Sequence, residues 1–481
     1  MRALPLIAVG LILTLSCVNV RLPWAEKAGF AGDLLFFQRW AATASDLRES
    51  GEGIGKLYKR RRDCNYPPFY LYVLSYLPGI DTWWRGEEGW RLPRNTPGAK
   101  PDAPHKFRKR NHLASIAPVL KLPAMIADIL ITLLVLTWTW GRAGPARAVL
   151  AASLWALNPV SIYNSSFFGQ IDAIHSLWML AALLAAVDRR PVFAWALVAL
   201  AILTKFQSIV IVPVIAVLTL RPLIEAIRQG EHVELRRQGR RLLVAIVAAA
   251  AVVWIILAPF ARAGALKDVK RVYINSVSER GTHARVTVIA YNLWWLTLDV
   301  PVNTRAMPSD QTPLVGPFTA RDLGFALLGL LAIVACGAAY WGGGRCSAML
   351  AAPIIALGFF LFSTQMKSRY GFASLALMLP LISCSYRFAL PTVVMSATFL
   401  INSARVAALP VGFFGLSTIV NNTTRTAWGG HRVAVVNLAV LTYLLLELFY
   451  CAWRERRGIR ARNGCGREWK AESGIASRDY T

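Results

Sequence analysis

Residues 192–220 read VFAWALVALAILTKFQSIVIVPVIAVLTL, a nearly continuous apolar stretch that contains a single charged residue, Lys205. One membrane-spanning helix needs about 20 consecutive apolar residues, so this stretch is too long for a single span. A charge at membrane depth is costly, which argues against one long helix with Lys205 at its centre. We therefore predict two short membrane helices that are hinged at Lys205.

The rest of the chain consists mostly of similar apolar runs. Of its 481 residues, 56% are hydrophobic and 16% are charged, whereas roughly 25% are charged in a soluble protein. This composition excludes an ordinary soluble protein and a disordered chain. With the stretch above counted as two helices, the runs predict an all-α polytopic membrane protein with about 12 transmembrane helices. The other runs are Leu4–Val20, Ile116–Trp140, Ala148–Val160, Ala173–Val187, Leu242–Phe260, Leu323–Trp341, Ala348–Phe362, Phe372–Cys384, Phe388–Ala404 and Val433–Cys451.

The first run, Leu4–Val20, follows Arg2 and ends near Arg21. Its length also fits a cleaved signal peptide, but no small-residue cleavage motif follows it. We therefore favour a retained first span with a cytoplasmic N-terminus. A shorter apolar stretch at Tyr66–Ile80 is predicted to be an interfacial helix. The alternative makes that stretch a full span and moves the basic loop Trp83–Asn111 to the cytoplasmic side.

Lysine and arginine mark the cytoplasmic side of a membrane protein, and their distribution here predicts a single integral membrane domain with large outward loops. Its parts are a first span at 4–21, an outward loop with interfacial helices at 22–115, a helical module at 116–260, an outward loop at 261–322, C-terminal spans at 323–452 and a cytoplasmic basic tail at 453–481.

The net charge of +27 fits anionic lipid headgroups and lipid-linked phosphates, so no nucleic-acid partner is expected. The seven cysteines are scattered, without a CxxC pair or metal-ligand spacing. They therefore predict neither a disulfide framework nor a zinc site.

Acidic and amide side chains gather in segments that are predicted to face outward. Asp33 follows the first span, and Asp172 ends the polar run Asn158–Asp172, which also carries Gln170. Helix capping by Asp33 and a plain turn at 158–172 are the alternatives to a role in catalysis. His175 lies three residues beyond Asp172 on the same helix face, but a lone Asp/His pair is weak evidence for a metal site.

Two cations accompany these carboxylates. Lys205 either snorkels to the outer surface or holds a phosphate, and the planar guanidinium of Arg369 bonds two phosphate oxygens at once. Carboxylates and cations on one membrane face imply a substrate with a leaving phosphate and a nucleophile that needs deprotonation. If the substrate is a sugar phosphate, one carboxylate can deprotonate an acceptor hydroxyl. The hydroxyl then attacks the anomeric carbon of a sugar phosphate while the cations stabilise the departing phosphate. A single displacement inverts the anomeric centre.

Several motifs appear together and in a fixed order. They are Gly32-Asp33 with Gln38-Arg39-Trp40-Ala41, Asn65-Tyr66-Pro67-Pro68 with Tyr70, Asn158-Pro159 through Gly169-Gln170-Ile171-Asp172, Leu203-Thr204-Lys205-Phe206-Gln207 with Pro213, and Ala290-Tyr291-Asn292-Leu293-Trp294-Trp295. Through these motifs the chain resembles the GT-C superfamily of polyprenyl-phosphate-sugar-dependent glycosyltransferases, and most of all bacterial relatives of glycosylphosphatidylinositol mannosyltransferase II. The fold is accordingly expected to be GT-C-like.

The resemblance implies that Asp33 activates the acceptor and that Asp172 is a second acidic residue facing the site. It also implies that the polyprenyl donor lies in a groove between helices. The candidate catalytic residues are thus Asp33 and Asp172. The substrate-binding candidates are Arg39, Tyr66, Gln170, Lys205, Gln207, Asn292, Arg369 and Tyr370.

The chain departs from the family pattern at Met366-Lys367-Ser368-Arg369-Tyr370, where relatives tend to carry Met-His-Glu-Arg-Tyr. The predicted function is an inverting transfer of a hexose, with mannose favoured, from a polyprenyl-phosphate sugar to a lipid-linked or cell-envelope acceptor on the outer face. One alternative is a transporter or flippase of lipid-linked sugars, although the duplicated halves typical of transporters are not visible. The other is an inactive GT-C-like scaffold.

No cofactor is predicted, and a divalent ion, Mg²⁺ or Mn²⁺, shared by Asp33 and Asp172 is left open. The expected partners are the polyprenyl-phosphate sugar, a lipid or glycan acceptor and membrane lipids. The expected location is the plasma membrane, with the bacterial inner membrane favoured, or the endoplasmic reticulum if the source is eukaryotic.

Overall fold

The computed structural model describes residues 3–472 except 28, 86–105, 276–283, 299–306 and 426. The described chain is mostly helical, which confirms the predicted all-α class. The helices up to residue 262 are α1 (Ala3–Asn19), α2 (Leu22–Ala25), α3 (Ala31–Glu49), α4 (Leu57–Arg60), α5 (Pro68–Arg85), α6 (Lys106–Ala143), α7 (Pro145–Ala156), α8 (Pro159–Ile162), α9 (Asp172–Val187), α10 (Pro191–Thr204), α11 (Val212–Gln229) and α12 (His232–Arg262).

The remaining elements include one small hairpin between two groups of helices. They are α13 (Leu266–Asn275), α14 (Leu293–Thr297), β1 (Pro313–Val315), β2 (Phe318–Thr319), α15 (Ala320–Gly342), α16 (Arg345–Phe362), α17 (Phe372–Met378), α18 (Ala389–Ala404), α19 (Ser417–Arg425) and α20 (Ala427–Glu472). The antiparallel strands pair Pro313 with Thr319 and Val315 with Phe318. Short 3-10 helices cover Ile54–Lys56, Phe206–Ile211, Leu379–Ser383 and Tyr386–Phe388, and a π-helix covers Tyr163–Phe168.

Seven helical segments in the described part of the chain are long and apolar enough to cross a bilayer, so this is a multi-pass membrane protein. They are Leu4–Ala25, Ile116–Ala143, Phe206–Gln229, His232–Arg262, Ala320–Gly342, Arg345–Phe362 and Gly429–Gly458.

The sequence predicted about 12 transmembrane helices; besides the seven long ones, several apolar runs in the described part of the chain form helices too short for a full span. The 16 residues of α9 extend for about 24 Å at 1.5 Å per residue, less than the ~30 Å hydrocarbon core. The apolar helices α10 and Phe372–Ser383 are also shorter than 18 residues. Hydropathy alone does not separate such helices from full spans, since both bury apolar side chains.

The hinge lies where the sequence predicted it. α10 ends at Thr204, and Lys205 is extended, with φ −154° and ψ 125°. The 3-10 helix Phe206–Ile211 then leads into α11. An extended residue between two helices changes the direction of the chain. Lys205 therefore lies at the end of α10 and not in the middle of a long apolar helix.

The predicted interfacial stretch forms α5, whose 18 residues extend for about 27 Å and pack against α3. Most of the basic loop Trp83–Asn111, on which the two topologies differ, lies at 86–105, outside the described residues.

A buried ionic network anchors the polar segment that leads to Asp172. The Arg21 guanidinium donates to the Asp128 carboxylate at 2.9 Å and to Ser161 Oγ at 2.8 Å. The same carboxylate accepts from Ser165 Oγ at 2.6 Å and from the Trp155 indole at 3.1 Å. Because an unpaired charge in this core would be costly, the network fixes the π-helix against the end of the first span and α6.

Candidate active site

Four segments that are distant in sequence meet at one end of the helix bundle. They are the first turn of α3 with Asp33, the loop and first turn of α9 with Gln170 and Asp172, the hinge at Lys205, and the loop 363–371 after α16. The structure thus brings both predicted catalytic carboxylates and both predicted cations into one cluster.

Asp33 is the more accessible of the two carboxylates. Its Oδ2 accepts a hydrogen bond from Gln170 Nε2 at 2.7 Å and one from Arg369 Nη2 at 3.1 Å. The Asp33 side chain is 26% exposed, and that of Arg369 is 9% exposed. Asp33 is therefore held by two partners while it keeps an open side that a ligand can approach.

Asp172 is enclosed and pinned from several directions. Its side chain is 1% exposed, and it forms an ion pair with Lys205. Asn164 Nδ2 donates to Oδ2 at 3.1 Å, His175 Nε2 lies 3.5 Å from Oδ1, and Arg369 Nε lies 3.9 Å from Oδ2. A carboxylate with this many partners is suited to position cations rather than to exchange protons with a substrate.

The loop 363–371 is held in place by neighbouring chain segments. Gln365 adopts a positive φ of 62°, and its backbone N–H donates to the Arg285 carbonyl at 2.9 Å. The Val288 N–H donates to the Met366 carbonyl at 2.8 Å, and Asn402 donates to the Ser368 carbonyl. These contacts direct the side chains of the loop toward the carboxylates.

Lys367 belongs to this cluster by its electrostatics. Burial lowers the pKa of Lys367 to about 8, and the neighbouring positive charge of Arg369 adds to that effect. The carboxylates of Asp33 and Asp172 oppose it. Lys367 is thus a cation that titrates close to neutral pH beside the predicted phosphate-holding residues.

Aromatic side chains surround the charges. The Tyr370 ring centroid lies 5.4 Å from Lys205 Nζ, and the Phe168 ring centroid lies 5.6 Å from the Arg369 guanidinium carbon. Both separations fit cation–π contacts. Tyr66 packs edge-on against the Phe37 ring at 5.3 Å, and burial raises its pKa well above the usual value.

Gln207 is also beside the cluster, since its side chain lies within hydrogen-bonding reach of the Tyr370 hydroxyl. Two other predicted substrate-binding residues are placed elsewhere. Asn292 donates to the carbonyls of Phe360 and Ser363, both at 3.4 Å, so it supports the base of the loop 363–371. Arg39 lies six residues beyond Asp33 on α3, about 240° around the helix, and has no ion pair within the described residues.

Sequence reasoning also missed some contributors. Asn164 stood inside the polar run 158–172, but its amide was not distinguished from those of its neighbours. Nothing in the sequence distinguishes Phe168 from the other aromatic residues. Only the contact of Asn164 with Asp172 and that of Phe168 with Arg369 show that they shape the site.

Several buried polar atoms around the cluster have no hydrogen-bond partner among the described residues. Beside the charges these are Gln170 Oε1, Gln207 Oε1, Ser368 Oγ and Arg369 Nε. Buried polar groups are normally paired, so this concentration is typical of a surface that completes its hydrogen bonds with a polar ligand.

The arrangement does not fit a metal ion shared by Asp33 and Asp172. The Arg369 guanidinium contacts both carboxylates, at 3.1 Å and 3.9 Å. Within the described part of the chain no group of three or more His, Cys, Asp or Glu side chains is arranged to hold a metal.

The fold and the membrane-spanning helices define a multi-pass membrane protein that is mostly helical in the described part of the chain. The family of the GPI transamidase subunit PIG-U matches residues 64–296, just under half of the chain. The match includes the motifs around Tyr66, Asp172, Lys205 and Asn292, which are among those through which the sequence resembles the GT-C superfamily. The narrower likeness to mannosyltransferase II stays a prediction.

Among solved structures, the crystal structure of ArnT from Cupriavidus metallidurans bound to undecaprenyl phosphate aligns with this chain at a TM-score of 0.43 and 13% identity. The alignment covers 95% of this chain and 78% of that chain. No curated protein gave a significant match.

Proposed function

We propose that the protein is an inverting glycosyltransferase that moves a hexose from a polyprenyl-phosphate sugar to a lipid-linked or cell-envelope acceptor at the outer face of the membrane. Mannose is the favoured sugar because the sequence motifs resemble those of a mannosyltransferase.

The charge balance of the cluster carries this proposal. Three cations, Lys205, Lys367 and Arg369, accompany two carboxylates, Asp33 and Asp172, so the ionised cluster has one net positive charge. The phosphodiester of a polyprenyl-phosphate sugar has one negative charge, which would neutralise it. The unpaired polar atoms around the cluster would meet the hydroxyl groups of the sugar.

An apolar groove of about 310 Å³ supports a lipid-linked donor. Its walls come from α5, α6 and α9, and they include Phe69, Ala127, Ile174 and Trp178. Ile174 and Trp178 are two and six residues beyond Asp172, about 3 Å and 9 Å along the helix axis. They are also about 200° and 240° around α9 from Asp172, so the groove lies on another face of the helix, and the phosphate of a prenyl chain in it would reach the cations around the first turn of α9.

In the proposed reaction Asp33 accepts the proton of the acceptor hydroxyl. The hydroxyl oxygen forms a bond to the anomeric carbon, and the bond between that carbon and the phosphate oxygen breaks. The bonding electrons leave with the phosphate, which Arg369, Lys205 and Lys367 stabilise. In the structure Arg369 donates a hydrogen bond to Asp33. If Arg369 binds the phosphate of the donor instead, the Asp33 carboxylate loses this partner and can act as a base. Asp172 positions Lys205 and Arg369.

The experiment is label transfer by the full chain in liposomes that contain a polyprenyl-phosphate mannose and envelope lipid acceptors. Asp33→Asn should reduce kcat at least about 100-fold, the usual range for loss of a general base. The matched control is Asp46→Asn, the same change at an exposed position of the same helix. Equal transfer by wild type and Asp33→Asn would refute the role of Asp33.

A second candidate is a non-catalytic subunit that binds a lipid-linked sugar, and the match to a transamidase subunit family favours it. The exchange of the family His and Glu for Lys367 and Ser368 points the same way. If the protein is such a subunit, the wild type should bind the polyprenyl-phosphate sugar but should not transfer the sugar to any acceptor. Movement of intact lipid-linked sugar across the bilayer would instead identify a flippase.

A further inference from the structure

Three cysteines that look unrelated in the sequence meet at the opposite end of the bundle from the charged cluster. Cys346 lies in the first turn of α16, Cys384 follows the 3-10 helix after α17, and Cys451 lies on α20. The sulfur atoms of Cys346 and Cys451 are 3.0 Å apart, and Cys384 is within hydrogen-bonding reach of Cys346. The 18 residues of α16 separate this thiol cluster from the loop 363–371 by about 27 Å.

The thiol cluster opens into a cavity of about 430 Å³. Besides the three cysteines, its walls include Arg387, Tyr450, Arg454 and Glu455. Arg454 and the neighbouring Gly458 are exposed, so small solutes can enter the cavity from solvent. This end of α20 leads into the basic tail that the charge distribution predicts to be cytoplasmic.

The environment of Cys451 favours a reactive thiolate. Arg387 Nη2, which pairs with the Glu447 carboxylate at 2.6 Å, also lies 3.6 Å from the Cys451 sulfur, and a nearby cation stabilises the ionised thiol that acts as the nucleophile. The Glu455 carboxylate is already engaged, because it accepts from the backbone N–H of Cys346 at 2.8 Å and from that of Ser347 at 3.3 Å.

The two helices that carry Cys346 and Cys451 approach each other closely. A Cβ atom placed on Gly344, the residue before α16, would lie 2.6 Å from Cγ of Glu455 on α20. Glu455 adds hydrogen bonds between α20 and the start of α16. The two thiols are thus held in contact by the fold, and a bond between them requires little movement of either helix.

We propose that Cys346 and Cys451 form a peroxide-oxidisable thiol pair that closes reversibly into a disulfide between α16 and α20. The Cys451 thiolate attacks one oxygen of hydrogen peroxide, which gives a sulfenic acid and hydroxide. The Cys346 thiol then attacks that sulfur, the disulfide forms, and the sulfenic oxygen leaves as water. In sum, two thiols and one peroxide give one disulfide and two waters, with sulfur oxidised and peroxide reduced. Cytoplasmic thiols are kept reduced, so such a bond would be transient.

The experiment uses the purified, reduced full chain in lipid nanodiscs with hydrogen peroxide as the probe. After the remaining thiols are blocked with N-ethylmaleimide, mass spectrometry should find a peptide pair linked through Cys346 and Cys451. The amount of the linked peptide pair should be at least about tenfold higher than in the untreated protein. About two thiols per protein should become inaccessible to maleimide. Dithiothreitol should remove the linked pair.

Cys346→Ser and Cys451→Ser should abolish the linked pair. Cys384→Ser should retain it, and so should the matched control Cys336→Ser on α15. The wild-type measurement does not depend on whether any variant folds. Absence of a linked pair in the wild type, or a link through Cys384 instead, would overturn the assignment.

Discussion

Replacing Lys205 by methionine tests whether the Lys205–Asp172 ion pair holds the hinge against α9. The side chains are 10% and 1% exposed, so neither charge has much access to water. Methionine keeps the length and apolar stem of lysine but removes the ammonium. Asp172 would then be a buried carboxylate without its principal cation.

The structure sets the size of the effect. Removing one partner of a buried ion pair typically costs about 3–5 kcal/mol. Asn164 at 3.1 Å and Arg369 at 3.9 Å would still compensate part of the Asp172 charge. We therefore expect the lower end, a loss of about 3 kcal/mol in the free energy of unfolding. The double variant Lys205→Met/Asp172→Asn carries no unpaired charge at these positions, so it should be about 2 kcal/mol more stable than Lys205→Met.

The assay is unfolding in mixed micelles with increasing SDS, followed by tryptophan fluorescence. Lys56→Met is the matched control, because Lys56 pairs with Glu52 on the surface and is 47% exposed. That change should cost less than about 1 kcal/mol. A Lys205→Met variant as stable as the Lys56→Met control, or a double variant no more stable than Lys205→Met, would refute the reasoning.

Two further predictions concern ligand binding. Because the pKa of Lys367 is lowered to about 8, its ammonium is charged below that pH and neutral above it, so affinity for polyprenyl phosphate should fall as pH rises through about 8. Lys367→Met should bind more weakly at low pH and lose this dependence, and a pH-independent wild type would contradict the prediction. Ala127→Phe should fill the groove and raise KM for a long-chain donor while kcat changes little, as measured by label transfer. Ala146→Phe, at an exposed position of α7, is its matched control, and equal KM values for the two variants would count against a prenyl chain in the groove.

The sequence predicted those features that have a local signature. Lys205 interrupts an apolar run, and the cost of burying a charge is enough to expect a hinge there. Asp33, Gln170 and Asp172 stand at the predicted outer ends of helices, so their shared location follows from the alternation of the chain across the membrane. The structure brings all three together.

Features that depend on packing between distant segments could not be predicted in this way. Arg21 looked like the end of the first run, since its partner Asp128 lies 107 positions later. Cys346 and Cys451 likewise meet 105 positions apart. Arg39 was selected by its motif, but the helical turn directs it away from Asp33. Of the roughly 12 predicted membrane helices, seven in the described part of the chain are long enough for a full span, because apolar runs buried in protein need not reach both bilayer surfaces.

Lys367 and Ser368, which stand where the family pattern has His and Glu, change the net charge of the cluster. With His and Glu at these positions, a neutral histidine would leave two cations against three carboxylates, a net charge of −1. Here three cations accompany two carboxylates, a net charge of +1. Under the proposed function, a cluster two charges more positive would hold a phosphate more tightly, both in the donor and in the departing polyprenyl phosphate. Slow release of that product, rather than the chemical step, is therefore the expected limit on turnover, and a burst of one transferred sugar per protein before the steady state would reveal it.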